Sequence, residues 1–310
     1  MSLLTHRPSN SDNVSIVEMS ARDGLQNETA LLMPAIKAGL VNRLAAAGVQ
    51  RIEAGSFVSP RWIPQMADSD EVFKLITRLP GVIYSALTPN LQGYQRALAA
   101  AADEVAIFAA ASEAFSQKNI NCSIDDSIRR FTDVCAAAQH DGIRVRGYVS
   151  CAMGCPYQGE VPPAQVARVV RGLLELGCYE VSIGDTIGVG TPVQVQHVLH
   201  ACLQEARADQ LAMHFHDTRG QALANLLAGL EMGIRTIDAS VAGLGGCPYA
   251  GATYASGNVA TEDVIYMLHG MGLHTGIDLE RLADTSHWIC SELGQHNRSR
   301  VAVAMAGSRK

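Results

Sequence analysis

Short apolar runs rich in valine and isoleucine recur along the whole chain, at about 14–19, 50–56, 82–87, 104–110, 143–150, 178–184, 210–215 and 235–241. Runs of this length, bounded by turn residues, predict buried strands. Most lead into Ala- and Leu-rich stretches of helical period, for example 34–47, 91–101, 124–140, 162–176, 191–207 and 220–231. Pro34, Pro162, Pro163 and Pro192 fall where helices start, and the N–H that proline lacks has no partner there anyway. Gly48, Gly142, Gly177 and Gly233 follow helix ends, where chains commonly reverse. Strands alternating with helices imply parallel pairing with both sheet faces covered.

Eight such units are what a closed α/β barrel needs, so the pattern predicts a (β/α)8 TIM barrel over about 14–257. No G-x-G-x-x-G follows the first strand, which weighs against an open dinucleotide-binding sheet. The remainder, about 258–300, reads as a C-terminal helical extension, with two helices expected before 294. No linker separates a second unit, so residues 1–310 are expected to form a single domain.

Composition narrows the function classes. The chain has 310 residues, 48% of them hydrophobic, enough for one sizeable core. A formal charge of −6 and the lack of a Lys/Arg cluster argue against a nucleic-acid partner. Apolar stretches are broken well short of a membrane span. Met1–Asn13 is polar and does not read as a targeting segment, and eight cysteines without one read as reduced thiols. A cytoplasmic protein is expected. Cys151 and Cys155 have a spacing that zinc pairs use, but no second pair lies nearby in sequence, and a structural role is the simpler reading.

In a barrel of this kind, chemistry sits where strands run into the following loops. Polar residues at those positions are Arg22 and Asp23, Glu53, Arg146 and Tyr148, Asp185 and Thr186, His214 and His216, Cys247, and Asn258. His214 and His216 are two apart on a strand, so both face the same side. Paired imidazoles in a barrel interior suit a divalent cation, although such a pair also occurs as hydrogen-bonded core. Asp23 adds a carboxylate and Asn258 an amide oxygen. That mixed set fits Mg²⁺ or Mn²⁺ better than Zn²⁺. Arg22 is a fixed cation beside a metal carboxylate, a role compatible with a salt bridge to Asp185 or Glu53 across the barrel mouth. Cys247 follows Gly243, Gly245 and Gly246 and precedes Pro248, a turn that exposes a thiol to whatever it surrounds.

These residues together resemble the 3-hydroxy-3-methylglutaryl-CoA lyase family of metal-dependent TIM-barrel lyases. The resemblance runs from Glu18 to about Asp284. It is carried by Arg22–Glu28, Ser56–Pro60 with Pro64–Asp68, Lys118–Ser123, Arg146–Cys151, Gly184–Gly190, His214–Thr218, the Cys247 turn and Ser256–Asp263. It implies Asp23, His214, His216 and Asn258 as metal ligands, Arg22 as catalytic cation and Cys247 as catalytic thiol. Glu53 and Asp185 are expected to support catalysis. Substrate contacts are expected from Arg22, Asn119, Arg146, Tyr148, Ser182, Thr186 and Tyr254.

The implied reaction is a retro-Claisen cleavage of a 3-hydroxyacyl-CoA, yielding acetyl-CoA and acetoacetate from the usual substrate. Asp23 is the expected base, Arg22 the enolate stabiliser and Cys247 the proton donor to the enolate carbon. The implied partners are a small-molecule acyl-CoA and a second copy of the chain in a homodimer, with no nucleic acid and no membrane. Three departures from the family pattern stand out. Ser20-Ala21 replaces a Gly-Pro pair, Thr29 and Gly55 stand where a lysine and a threonine are frequent, and Gly251–Ala255 lengthens the segment between Cys247 and Asn258 by about two residues. A related lyase acting on a larger C3 group or a malyl-type ester is one rival; condensing cousins and a non-catalytic CoA-binding protein are others.

Overall fold

The structure is a computed structural model that describes residues 12–245 and 257–308. Eight parallel strands close into a barrel in sequence order. They are β1 (Ser15–Glu18), β2 (Arg51–Ser56), β3 (Ile83–Leu87), β4 (Glu104–Ala110), β5 (Arg144–Ser150), β6 (Glu180–Asp185), β7 (Leu211–Phe215) and β8 (Thr236–Ala239). Closure is made by β1 against β8, with Ser15 opposite Thr236 and Glu18 opposite Ala239. The expected fold class is the one observed.

The surrounding helices are α1 (Pro34–Ala46), α2 (Ser69–Leu75), α3 (Leu91–Ala99), α4 (Glu113–Ile120), α5 (Ile124–Arg130) and α6 (Thr132–Asp141). They continue with α7 (Pro163–Glu175), α8 (Pro192–Cys202) and α9 (Ala222–Glu231). Beyond the barrel lie α10 (Thr261–Gly270), α11 (Leu279–Leu293) and α12 (Arg300–Ser308), so the extension holds one helix more than the pattern predicted. Proline opens α1, α7 and α8 as expected. The single helix expected over 124–140 is two, because the Phe131 N–H bonds to the carbonyl of Ile128, one residue short of the α-helical partner. Helices α2 and α4 were not read from periodicity. Each is short and polar; α4 is started by Ser112, whose hydroxyl accepts from the Phe115 N–H.

The apolar core lies mainly between the strands and the helices, with residues such as Ile52, Leu40, Val181 and Leu226 fully buried. The barrel interior is different, because charge fills part of it. Arg146 Nε donates to Glu180 at 2.6 Å, and Arg51 donates to the same carboxylate at 2.8 Å. The Thr236 hydroxyl completes that carboxylate at 3.0 Å. A buried carboxylate this well supplied with donors stays ionised: burial opposes the charge of Glu180, and Arg146 and Arg51 outweigh it.

Candidate metal centre at the barrel mouth

Arg22 and Asp23 sit on a π-helical turn, Ser20–Gly24, that begins just past the end of β1. A π turn of this kind often marks a functional site. Ser20 and Ala21, the departure noted in the sequence, are both buried within it, and the Ser20 N–H donates to Glu18 at 3.1 Å. The turn packs tightly at Gly24, where a Cβ would lie 2.6 Å from the hydroxyl oxygen of Ser240.

His214 belongs to β7, and His216 follows its last residue. Residues past β8 fold back to meet them: the Asp217 N–H donates to the carbonyl of Gly257 at 2.7 Å, and His216 bridges to Asn258. The result is a cluster. One ligand atom each from Asp23, His214 and His216 lie within 4.8 Å of one another. Both Nε2 atoms face the same oxygen, Oδ2 of Asp23, at 3.8 Å from His214 and 3.9 Å from His216. Asn258 Nδ2 donates to that oxygen at 2.8 Å and to the carbonyl of Leu244 at 3.1 Å.

The electrostatics suit a cation site. Burial opposes the charge of Asp23, but Arg22, His214 and His216 outweigh it and hold the carboxyl well below the usual range. Burial, with His214 beside it, pushes the His216 pKa down to about 4, so this imidazole is neutral and offers a lone pair at neutral pH. Two imidazoles and one ionised carboxylate form a donor set that divalent cations take.

Arg22 is clamped beside this cluster. Its Nε donates to Glu53 at 2.5 Å and its Nη1 to Asp23 Oδ1 at 2.6 Å. Burial opposes its charge, and Glu53 and Asp23 outweigh that penalty, so the guanidinium is a permanent cation. Of the two salt-bridge partners weighed for Arg22, Glu53 is the one found.

Other expected site residues divide into groups. Tyr148 joins the mouth: its hydroxyl donates to Glu53 at 3.2 Å, and its ring lies 5.7 Å from the Arg22 guanidinium. Asp185 spends its carboxylate on its own loop, accepting from the Val189 N–H at 3.1 Å and the Gly190 N–H at 2.8 Å. Thr186 accepts from the Cys151 N–H at 2.8 Å and so ties the ends of β5 and β6 together. Arg146 lies deeper, bonded to Glu180, Asp238 and Tyr148, and Ser182 donates to Asp238 at 2.7 Å. Asn119 is exposed on α4. Cys247 and Tyr254 lie outside the described residues.

Two features were missed by sequence reasoning. Asp238 is buried in β8 opposite His214. Its only sequence signal is a carboxylate inside an apolar strand. The second is a pair of buried carboxyls. Glu18 accepts from the Val241 N–H at 2.9 Å and Glu262 from the Ala242 N–H at 3.0 Å. They fasten the turn Val241–Gly243, from which the chain runs on toward Cys247.

Fold and cluster together define a class: a TIM-barrel enzyme with an imidazole–carboxylate cluster where its strands end. The chain belongs to the HMGL-like family, which it matches over residues 13–289. It is 56% identical over 291 residues to the mitochondrial hydroxymethylglutaryl-CoA lyase of Bos taurus, covering 94% of this chain and 89% of that one. A Pseudomonas aeruginosa protein named 3-hydroxy-3-isohexenylglutaryl-CoA/hydroxy-methylglutaryl-CoA lyase is also 56% identical, over 292 residues, covering 94% of this chain and 97% of its own. The crystal structure of hydroxymethylglutaryl-CoA lyase from Pseudomonas aeruginosa superposes with a TM-score of 0.94 at 56% identity, covering 96% and 98% of the two chains.

Proposed function

We propose that this protein is a hydroxymethylglutaryl-CoA lyase that uses a divalent cation, Mg²⁺ or Mn²⁺, to cleave 3-hydroxy-3-methylglutaryl-CoA into acetyl-CoA and acetoacetate. The observation that carries the reading is the convergence of His214 Nε2, His216 Nε2 and Arg22 on the single carboxylate of Asp23. Asp23, His214 and His216 would hold the cation, with the amide oxygen of Asn258 as a fourth ligand after rotation about its terminal torsion. When bound, the cation would acidify the substrate's 3-hydroxyl.

The protein's own groups supply the rest. Asp23, held strongly ionised, is suited to ligation and is a weak base, so it would accept only the proton of a hydroxyl already made acidic. Loss of that proton drives cleavage of the C2–C3 bond and leaves a thioester enolate. Arg22, locked by Glu53, would face that developing charge without having to reorganise. Cys247 is the proposed donor of the proton to the enolate carbon, and Tyr254 a proposed contact to the acyl or pantetheine end. Arg146 and Ser182 act in this reading by fixing the interior on which the centre rests, and Asp185 and Thr186 by holding the loops beside it. Among the described residues, no helix is long and apolar enough to cross a membrane. The seven described cysteines are unpaired, which fits a reducing compartment such as the cytoplasm.

A larger C3 group is a second reading, favoured by the name of the Pseudomonas relative and by the longer Gly251–Ala255 segment. Both are tested by incubating pure protein with Mn²⁺, a thiol reductant and the CoA thioester that carries either a methyl or an isohexenyl group at C3. Equal yields of acetyl-CoA and the matching oxo acid, abolished by chelation, are expected from the C3-methyl thioester. No cleavage of either thioester, or cleavage that survives chelation, overturns the proposal.

A further inference from the structure

Asp238 stands directly opposite His214 in the β7–β8 register, and it is buried. Its carboxylate collects four contacts. Oδ1 accepts from Arg146 Nη2 at 2.7 Å; Oδ2 accepts from Arg146 Nη1 at 3.0 Å and from the Ser182 hydroxyl at 2.7 Å. The fourth is His214 Nδ1, 3.3 Å from Oδ2. Three of these contacts are donors aimed at the carboxylate, two from one guanidinium and one from a hydroxyl, so Asp238 stands toward the imidazole as an acceptor.

An acceptor fixed on one side of an imidazole decides what the other side can do. A hydrogen bond from Nδ1–H to Asp238 requires the tautomer in which Nε2 carries the lone pair. That lone pair points toward Asp23, with Nε2 and Oδ2 3.8 Å apart. The opposite tautomer would set a lone pair on Nδ1 against a carboxylate. It would also remove one of the four contacts that Asp238 makes inside the barrel.

We propose that Asp238 is a positioning residue for the cation site: it fixes the ring and tautomer of His214 so that Nε2 is presented to the cation beside Asp23. The inference rests on the metal-centre reading above, but its geometric half concerns His214 alone. Arg146 and Ser182 hold Asp238 in turn, and Glu180, 2.6 Å from Arg146 Nε, anchors that guanidinium. A chain of contacts thus runs from Glu180 through Arg146, Asp238 and His214 to Asp23. It gives Arg146 and Ser182 a reason to lie so near the centre without touching it. Carboxylates behind metal-binding histidines typically contribute 10- to 100-fold in metal affinity, roughly, by setting the tautomer and raising ring basicity.

The test has two arms. In the first, ¹⁵N-labelled histidine in the metal-free wild type reports which ring nitrogen of His214 carries the proton, the signal being assigned by its loss in His214→Gln. Protonation of Nδ1 is expected; protonation of Nε2 overturns the inference, whatever the variants do. In the second, Mn²⁺ affinity is read from the electron paramagnetic resonance of the free ion for the wild type and for Asp238→Asn. A 10- to 100-fold weaker Kd in a variant with a native circular dichroism spectrum, together with a changed His214 tautomer ratio, supports the proposal. A folded variant that binds Mn²⁺ within about twofold of the wild type overturns it, since a partner serving only Arg146 would leave the cation site intact. If Asp238→Asn does not fold, Ser182→Ala, which removes one contact from the same oxygen, is read in its place by the same criterion. A wild type that binds no Mn²⁺ at all refutes the metal centre itself, and the tautomer measurement still decides whether Asp238 fixes His214.

Discussion

At the scale of single residues, Arg22 carries the sharpest consequence. Its guanidinium sits between two carboxylates, 2.5 Å from Glu53 and 2.6 Å from Asp23, and stays charged whatever the pH. Arg22→Gln is expected to lower kcat by about 10²- to 10³-fold, the usual worth of a fixed donor at a developing oxyanion. Steady-state kinetics with saturating Mn²⁺ check this; a change in KM alone would make Arg22 a binding residue. The same substitution removes the main partner that holds Asp23 ionised, so Mn²⁺ should compete with protons at higher pH in the variant than in the wild type. Much of this centre was legible in the chain. The two-residue spacing of His214 and His216 on a strand announces that they share a face, and Arg22-Asp23 at a strand end announces the mouth. Asp238 was not legible. It looks like one more residue of an apolar strand until the barrel closes and brings it opposite His214. Arg146, expected as a substrate contact, is bonded to Glu180, Asp238 and Tyr148, because a guanidinium on an interior-facing strand position lies close to buried carboxylates.

At the scale of elements, the buried carboxyls of β1 and α10 make the turn Val241–Gly243 sensitive to pH. Burial raises the Glu262 pKa to about 8, and the N–H of Ala242 together with other hydrogen bonds lowers it only partly. Unfolded, the same side chain titrates near the ordinary value of 4.5. Between those two values the folded protein holds a proton that the unfolded chain has lost. Stability therefore falls as pH rises from about 4.5 to about 8. This single group contributes a slope of at most about 1.4 kcal/mol per pH unit. Glu262→Gln keeps an acceptor for the Ala242 N–H and removes the titration. Urea unfolding at pH 5.5, 7 and 8.5 should show a shallower slope for the variant; parallel curves would mean that Glu262 is ionised in the folded protein. The elements themselves were legible to different degrees. Helices opened by proline and closed by glycine are marked by backbone chemistry that does not depend on tertiary context. Helix α4 exists because of its Ser112 cap and its place in the loop after β4, neither of which leaves an apolar period.

The whole molecule brings the first and last strands of the barrel together beside the Asp23–His214–His216 cluster. Asp23 follows β1, His214 and His216 come from β7, and Asn258 comes from the segment after β8. Asp23 and Asn258 are 235 positions apart in the chain. Eight repeated strand–helix units made the closed barrel readable, but the charged layer inside it was not, because period-two alternation is masked where both faces of a strand are buried. A ligand set drawn from such distant segments exists only in the folded state, so a cation that binds it must stabilise the fold. Mn²⁺ at about 100 times its Kd adds roughly 2.7 kcal/mol by mass action, a rise in Tm on the order of 5 °C for a chain of this size. Differential scanning fluorimetry on chelator-stripped protein should show that rise on adding Mn²⁺ and its reversal on adding EDTA. His216→Ala should lose most of the increment, whatever it does to the Tm of the metal-free protein, because one of few protein donors is gone. The increment, not the absolute Tm, is the informative quantity, since removing a buried ring also leaves a cavity. An increment that persists in both His216→Ala and His214→Ala would place the bound cation elsewhere and separate the stability of the barrel from the centre at its mouth.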